Sequence, residues 1–286
     1  MKYEIIHLKD RFPDLGQEGR DPSVEIYLPD NLSEMQRDND KRPCLVVCPG
    51  GGYAFCSQRE AEPIALHFLP EGFNVFVLTY SVAPHRYPVQ LREVAGLLEL
   101  IHANADVWHC DANRVAIMGF SAGGHLAAHY STAYGCPAVR DMFPDSKPFQ
   151  ASVLCYPVIT ADPAYAHLGS FDALTGKQDR TPEEIAAFSC DCLVREQTPP
   201  AFLWHTAQDG LVPAMNSLLY AAALARHGVP YELHVYPYGD HGLSTCDHLT
   251  VDQINSVHHY DHAWLDCAKK WLRLQFNGCA ASKEEV

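Results

Sequence analysis

The sequence predicts an α/β fold in which a mostly parallel central sheet is covered by helices on both faces. The first observation is that most strand candidates are apolar along their whole length, which is typical of strands buried on both sides. The second is that segments with helical spacing of apolar residues separate these strands. The strand candidates are residues 44–48, 74–80, 115–118, 151–156, 201–205 and 231–236.

The remaining elements follow from local patterns. Ser23–Leu28 alternates between apolar and polar residues, which predicts an antiparallel strand at the edge of the sheet. Pro63 lies in the first turn of a predicted helix, where a missing N–H removes no helical hydrogen bond. Helices are predicted over residues 59–69, around 94–101, over 122–134, over 213–227 and over 257–274.

Residues 159–200 differ in character from the rest of the chain. Asp, Pro, Thr and Gly become more frequent there, and the apolar periodicity weakens. We interpret this segment as a cap inserted over the sheet, with a short helix at Pro182–Phe188. The sequence contains neither an internal repeat nor a linker, so we expect one domain over residues 1–286, with a frayed tail at residues 279–286.

Composition and charge exclude several classes of partner. The 286 residues carry a formal charge of −14, which argues against nucleic acid or an anionic membrane as the main partner. We see no membrane-length apolar run and no signal peptide, so a cytoplasmic location is expected. The 11 cysteines are scattered singly, and Cys190 and Cys192 lack the spacing of a metal or redox pair. No metal or organic cofactor is expected, and the sequence leaves a homo-oligomer open.

The segment Gly119-Phe120-Ser121-Ala122-Gly123 has the pattern G-x-S-x-G between a predicted strand and a predicted helix. A direct turn from strand into helix strains the central residue, and small neighbours leave room for that strain. The serine hydroxyl is thereby held at the tip of the turn, beside the positive end of the helix dipole. This context favours a nucleophilic serine over a serine that only caps the helix.

Two further loops supply the partners that a nucleophilic serine needs. Asp209 follows the strand ending near residue 205, and His241 follows the last strand, so both lie at the carboxyl ends of strands. We predict that His241 accepts the proton of Ser121 and that Asp209 orients the imidazole. Asp209 as a simple turn or capping residue is the alternative. Other histidines and a second carboxylate are weaker candidates: His205, His227, His234, His248 and Asp240.

A loop of three glycines follows the first buried strand, at Pro49-Gly50-Gly51-Gly52-Tyr53. Glycines allow backbone N–H groups to point into a site without a Cβ in the way. We predict that the N–H groups of Gly51, Gly52 and Ala122 form an oxyanion hole. A phosphate-binding loop is excluded because the lysine and the G-x-G-x-x-G spacing are missing, while a glycine turn without function remains open.

The order Ser121, Asp209, His241 and the motifs around it resemble the α/β-hydrolases of the esterase and lipase group, in the hormone-sensitive-lipase-like neighbourhood. Within that group the chain is most similar to bacterial acetyl esterases and acetyl-xylan-esterase-like carbohydrate esterases, over roughly residues 20–275. Two positions depart from the group's motifs. Pro49 stands where many members have histidine, and Phe120 stands where many have aspartate, which favours the carbohydrate-esterase-like branch.

The resemblance implies a serine carboxylesterase that forms an acyl-enzyme and hydrolyses short acyl esters, acetyl above all, of a small or oligosaccharide alcohol. Four aromatic residues near the predicted strand ends are candidates for the walls of the acyl pocket, although core packing is the favoured interpretation for each of them taken singly: Tyr53, Phe55, Tyr156 and Trp204. His125 is expected to pack or hydrogen-bond beneath the site. The alternatives are a serine peptidase of the prolyl-oligopeptidase type and a non-catalytic ligand-binding protein.

Overall fold

A computed structural model describes residues 1–15, 21–251 and 263–277. Over these residues, eight strands form one sheet in the order β1-β2-β4-β3-β5-β6-β7-β8. The strands are β1 (Lys2–His7), β2 (Ser23–Leu28), β3 (Arg42–Cys48), β4 (Asn74–Thr79), β5 (Cys110–Phe120), β6 (Ala151–Cys155), β7 (Ala201–Thr206) and β8 (Tyr231–Tyr236). The six predicted apolar strands are all present, and the α/β prediction is confirmed.

Helices connect these strands. Short 3-10 helices occur at Ser33–Met35, Gln58–Glu60 and Leu69–Glu71. The α-helices are α1 (Leu8–Arg11), α2 (Glu62–Phe68), α3 (Val89–Ala103), α4 (Ser121–Ala133), α5 (Pro137–Arg140), α6 (Leu168–Thr175), α7 (Pro182–Phe188), α8 (Cys190–Leu193), α9 (Met215–Arg226) and α10 (Trp264–Asn277). No helix within the described ranges is long and apolar enough to cross a bilayer.

The sheet is antiparallel at one end and parallel elsewhere. The pairs β1–β2 and β2–β4 are antiparallel, and the pairs from β4 through β8 are parallel. The prediction that Ser23–Leu28 is the edge strand is wrong, because β1 pairs with its outer side. Most of β1 is exposed, so its sequence carries little of the apolar signal that identifies a strand.

Apolar side chains fill the space on both faces of the sheet, as the continuous apolar strands predict. On one face Leu97 and Leu126 pack with the inward residues of the strands. On the other face Phe68, Trp264 and Leu272 close the core. Each of these side chains is essentially removed from water, which stabilises the fold by about 1.5–3 kcal/mol per side chain.

Several predicted boundaries shift. The helix predicted over 59–69 divides into the 3-10 turn Gln58–Glu60 and α2, because Ala61 between them has non-helical dihedral angles, with φ of −112° and ψ of −107°. In the cap, α7 coincides with the predicted helix, and Thr181 caps it. The C-terminal helix is described from Trp264, so Val257 and Tyr260 lie outside the described residues, as does the predicted frayed tail.

The order of the strands determines where the loops meet. Strand β5 lies between β3 and β6, and β7 and β8 follow β6 on the same side. Because these strands are parallel, the loops after β3, β5, β7 and β8 share one edge of the sheet. The glycine loop, the serine, the aspartate and the histidine of the sequence analysis all belong to these loops.

Candidate active site

Ser121 lies at the junction of β5 and α4, in a left-handed backbone conformation with φ of 52°. A non-glycine residue in this region is strained, and it is held there by close packing around the turn. A Cβ on Gly119 would come within 2.1 Å of the carbonyl oxygen of Gly123. A Cβ on Gly123 would come within 2.1 Å of the carbonyl oxygen of Cys48. Small residues are therefore required on both sides of the serine.

The structure brings the three residues Ser121, His241 and Asp209 into one hydrogen-bonded chain. Nε2 of His241 lies 2.8 Å from Oγ of Ser121, and Nδ1 of His241 lies 2.6 Å from Oδ2 of Asp209. In the neutral tautomer that fits these partners, Nδ1–H donates to the carboxylate and Nε2 accepts from the serine hydroxyl. Ser121 and Asp209 are buried, with 9% and 6% of their surface exposed.

Asp209 is held by several donors. Its Oδ1 accepts hydrogen bonds from the backbone N–H groups of Leu211 and Val212, at 3.0 and 2.8 Å. Burial alone would raise the pKa of the Asp209 carboxyl, but hydrogen bonds from His205 and His241 outweigh burial and hold that pKa well below its usual range. The residue is therefore a carboxylate at neutral pH, as an acceptor for an imidazole N–H must be.

His205 has a role that the sequence analysis missed. It lies within β7, and its Nε2 donates to the carbonyl of Val212 at 2.8 Å and lies 3.3 Å from Oδ2 of Asp209. Its Nδ1 accepts from the hydroxyl of Ser217 at 2.8 Å. The ranking of His205 as a weaker candidate for the proton acceptor agrees with this geometry, because both of its ring nitrogens are bonded to other groups. A strand position gave no signal of this supporting contact.

The other candidates lie elsewhere. His248 and Asp240 are exposed, and His234 bonds to Oε1 of Glu232 at 2.6 Å. His227 follows the last turn of α9, as expected for a histidine at a helix end. Asp209, rather than Asp240, is therefore the carboxylate on the imidazole of His241.

The glycine loop adopts backbone conformations that only glycine tolerates well. Gly51 and Gly52 have φ values of 129° and 63°, and a Cβ on Gly51 would come within 2.1 Å of the carbonyl oxygen of Phe55. Neither glycine N–H donates to an atom in the part of the chain that the structure describes. Ala122 is buried in the first turn of α4, where a backbone N–H has no acceptor within the helix. These three groups are therefore available to a ligand.

A cavity of about 500 Å³ opens in front of Ser121. Its wall includes Ser121 and His241, together with Gly51 and Gly52 of the glycine loop. The cap contributes His167 and Gly169 to the same wall. Phe55 and Leu211 lie at its mouth, with 60% and 54% of their surface exposed. The cavity is thus buried at its base and open at its mouth.

The four aromatic residues predicted for the pocket separate into two groups. Phe55 lines the cavity, whereas Tyr53, Tyr156 and Trp204 are buried, with 1%, 2% and 0% of their surface exposed. The hydroxyl of Tyr53 bonds to Nδ1 of His125 at 2.8 Å. The rings of Tyr156 and Trp204 contact each other edge to face at 5.0 Å. The structure therefore brings one of the four to the cavity surface.

His125 makes hydrogen bonds beneath the site, as the sequence analysis expects. Besides the bond to Tyr53, its Nε2 lies 2.8 Å from the carbonyl oxygen of Phe188 in the cap. Burial lowers the pKa of His125 to about 4, so the ring is neutral at neutral pH. His129, one turn further along α4, is also buried, and its pKa is lowered to about 3. These histidines connect the glycine loop, α4 and the cap.

Metal and disulfide chemistry have no site in the described ranges. No group of three or more His, Cys, Asp or Glu side chains in them has the arrangement of a metal site. All ten cysteines of these ranges are free, and Cys48 and Cys155 are buried in the core. Burial raises the pKa of both thiols, which makes them poor nucleophiles.

Comparison with known proteins finds relatives that are named as a xylanase and an acetylxylan esterase. The chain is 36% identical over 231 residues to an endo-1,4-beta-xylanase B of Butyrivibrio fibrisolvens, which covers 77% of this chain and 35% of that protein. It is 32% identical over 233 residues to an acetylxylan esterase of Xylanibacter ruminicola, which covers 80% of this chain and 45% of that protein. The chain thus spans less than half the length of these two relatives.

The solved structures and the family models agree with these relatives. The crystal structure of an acetyl ester-xyloside bifunctional hydrolase from Caldicellulosiruptor lactoaceticus superposes with a TM-score of 0.80 and 34% identity, covering 94% of this chain and 95% of that one. The BD-FAE family model matches residues 24–224. The chain therefore has the α/β-hydrolase fold and belongs to the BD-FAE family.

Proposed function

We propose that this protein is a serine carboxylesterase that hydrolyses short acyl esters, acetyl above all, of carbohydrates. The observation that carries the proposal is the hydrogen-bonded chain from Ser121 through His241 to Asp209, at the base of an open cavity. This arrangement contains a nucleophile, a proton acceptor and a carboxylate that orients the acceptor. The relatives include an acetylxylan esterase and an acetyl ester-xyloside bifunctional hydrolase, which supports this choice of substrate.

In the proposed reaction, Oγ of Ser121 attacks the ester carbonyl carbon while its proton passes to Nε2 of His241. The carbonyl oxygen becomes an oxyanion that accepts hydrogen bonds from the N–H groups of Gly51, Gly52 and Ala122. The bond to the alcohol oxygen then breaks, and His241 returns the proton to the leaving alcohol. His241 then takes a proton from water as its oxygen attacks the acyl-serine carbonyl carbon. The bond to Oγ of Ser121 breaks, His241 returns the proton to Oγ, and the carboxylic acid leaves.

The shape of the cavity supports a small acyl group and a larger alcohol. Tyr156 and Trp204 are packed in the core and not on the cavity wall, so neither opens a space that a long acyl chain could occupy. At the mouth, the exposed side chains of Phe55 and Leu211 offer an apolar surface to a sugar ring. A lipase substrate would need a broader apolar surface than these two side chains provide.

The test measures hydrolysis of p-nitrophenyl acetate, butyrate and octanoate, and acetate release from acetylated xylo-oligosaccharides, by the wild type and by Ser121→Ala. We expect acetyl turnover that falls with chain length and that drops by about 10⁶-fold in Ser121→Ala, because the nucleophile is lost. A preference for octanoate would contradict the acetyl specificity. A wild type without any ester turnover would contradict the esterase and favour a peptidase or a binding protein.

A further inference from the structure

Glu60 is a buried carboxylate beside the nucleophile that the reaction above does not use. It ends the 3-10 turn Gln58–Glu60, it is 4% exposed, and it lines the same cavity as Ser121. Its Oε2 accepts the N–H of Gly50 at 2.7 Å, and its Oε1 accepts the hydroxyl of Tyr156 at 2.6 Å. Burial raises the pKa of Glu60, and these two hydrogen bonds oppose the rise. Burying a carboxyl is costly unless protein donors satisfy it, and both oxygens of Glu60 have such a donor.

Tyr156 connects Glu60 to the loop after β8 that contains His241 and Ser244, which we call the histidine loop. Its hydroxyl oxygen accepts the backbone N–H of Ser244 at 3.0 Å, and its ring contacts the ring of His241 edge to face at 5.0 Å. Ser244 is held in a left-handed conformation with φ of 52°, and its hydroxyl donates to the carbonyl of Arg59 at 2.6 Å. Arg59, which directly precedes Glu60, therefore also bonds to the histidine loop.

Glu60 and the nucleophile pack against the same glycine. A Cβ on Gly50 would come within 2.7 Å of Oε2 of Glu60 and within 2.9 Å of Cβ of Ser121. Gly50 directly precedes Gly51 and Gly52, which line the cavity and whose N–H groups donate to no atom of the described residues. The four residues Gly50, Glu60, Tyr156 and Ser244 thus form a continuous bridge behind the site, from the glycine loop to the histidine loop.

We propose that Glu60 is a positioning residue that fixes the glycine loop relative to the loop of His241, acting through Gly50 and Tyr156. This inference rests on the proposed esterase function. Oxyanion donors act only within about 2.7–3.1 Å of the developing charge, so a small displacement of the loop removes transition-state stabilisation. Both oxygens of Glu60 are occupied by protein donors, so its loss leaves ground-state binding of the substrate almost unchanged.

The test compares two substitutions at Glu60 and one at Tyr156, with p-nitrophenyl acetate as the substrate. Glu60→Met keeps the length of the side chain but removes both acceptors, and we expect kcat to fall about 100-fold, as when one oxyanion donor is lost, with KM within about threefold. Glu60→Gln keeps an acceptor for Gly50, and Tyr156→Phe keeps the ring on His241. Each of these two substitutions should lower kcat by about tenfold. The variant that combines them should lose less kcat than the two single losses multiplied together, because both side chains act through one bridge.

Tyr130→Phe is the matched control for the tyrosine, since it removes a hydroxyl bonded to the carbonyl of Lys147, away from the site. We expect it to leave kcat unchanged. A folded Glu60→Met with a lowered unfolding midpoint but wild-type kcat would overturn the proposal, as would a rise in KM at constant kcat. If Glu60→Met does not fold, the same criteria applied to Glu60→Gln and Tyr156→Phe decide.

The rate of phosphonylation of Ser121 by a fluorophosphonate, followed by mass spectrometry, separates this inference from the proposed function. That reaction needs the nucleophile and the oxyanion hole but no particular ester. If the wild type hydrolyses no ester, the esterase proposal fails, while the phosphonylation rates of the same variants still test Glu60. A slower rate in Glu60→Met supports positioning, and an unchanged rate contradicts it.

Discussion

Two histidine sites lie near the nucleophile, and they face different partners. His241 lies between the serine hydroxyl and the carboxylate of Asp209. His125 lies between the hydroxyl of Tyr53 and the backbone carbonyl of Phe188, and no carboxylate of the described residues is hydrogen-bonded to it. Both rings are bonded at both nitrogens, so the number of hydrogen bonds does not distinguish them.

The difference lies in the charge that each environment supports. In the proposed reaction, a carboxylate at 2.6 Å stabilises the imidazolium that forms when His241 takes a proton. A carbonyl and a phenol cannot offset the cost of burying a cation, so burial keeps His125 neutral. One ring can therefore carry a proton through a reaction, while the other serves as a neutral link between loop, helix and cap.

The largest expected effect comes from removing the carboxylate that bonds to His241, which leaves its ring without a charged partner, as the ring of His125 is. Asp209→Asn removes the charge that stabilises the imidazolium and allows the wrong tautomer, so kcat on p-nitrophenyl acetate should fall by about 10⁴-fold. Asp240→Asn is the matched control, because that carboxylate is adjacent in sequence, exposed and not bonded to the ring. Equal losses in the two variants would show that Asp209 has no special role.

The second effect concerns stability in acid. The pKa values of His125 and His129 are about 4 and 3 in the folded protein, below the usual 6.5. Between the pKa of each ring in the folded protein and the usual 6.5, the unfolded chain binds more protons than the folded protein does. The free energy of unfolding is therefore fully present above about pH 6.5. It decreases as the pH falls toward 4, by up to about 1.4 kcal/mol per pH unit for each ring. Thermal unfolding from pH 7.5 to 4.5 measures this loss.

The dependence on pH can be assigned by substitution. His129→Phe keeps a ring against Tyr87 and removes one of the two imidazoles named above, so the unfolding midpoint should fall less steeply with acid. His248→Gln, at an exposed histidine, serves as the control and should keep the wild-type slope. The same slope in His129→Phe as in the wild type would mean that other groups cause the acid sensitivity.

The smallest effect is expected at the link between His125 and the glycine loop. Tyr53→Phe removes the hydroxyl bonded to His125, and the unfolding free energy should fall by about 1–2 kcal/mol, since the ring nitrogen loses its partner. Because Tyr53 is 1% exposed, KM should stay within about twofold. A KM that rises several-fold would instead indicate that this residue contacts the substrate.

The fold could be predicted from sequence because its signals are local. Apolar runs such as residues 44–48 and 151–156 identify buried strands without any knowledge of their neighbours. The elbow around Ser121 also carries its own signal, since the crowding of Gly119 and Gly123 appears in the sequence as small residues. Strand β1 carried no such signal because it is exposed.

The supporting residues could not be predicted, because their roles depend on contacts across the chain. Glu60 and Tyr156 are 96 positions apart, and their hydrogen bond exists only once β6 lies beside β5. In the sequence Glu60 is one polar residue at the start of a predicted helix. Likewise, the aromatic character of Tyr156 and Trp204 does not indicate whether their rings face the core or the cavity.

The residues of the candidate site lie in two groups along the chain, one before and one after the cap at residues 159–200. The glycine loop and Ser121 precede the cap, while Asp209 and His241 follow it. Residues 176–179 form an exposed stretch between α6 and α7 and include no residue of the hydrogen-bonded chain. A cut in this stretch would give two fragments, each with half of the chemistry. Hydrolysis of a chromogenic ester would then report their reassembly, which makes the scaffold a natural candidate for a split-enzyme sensor.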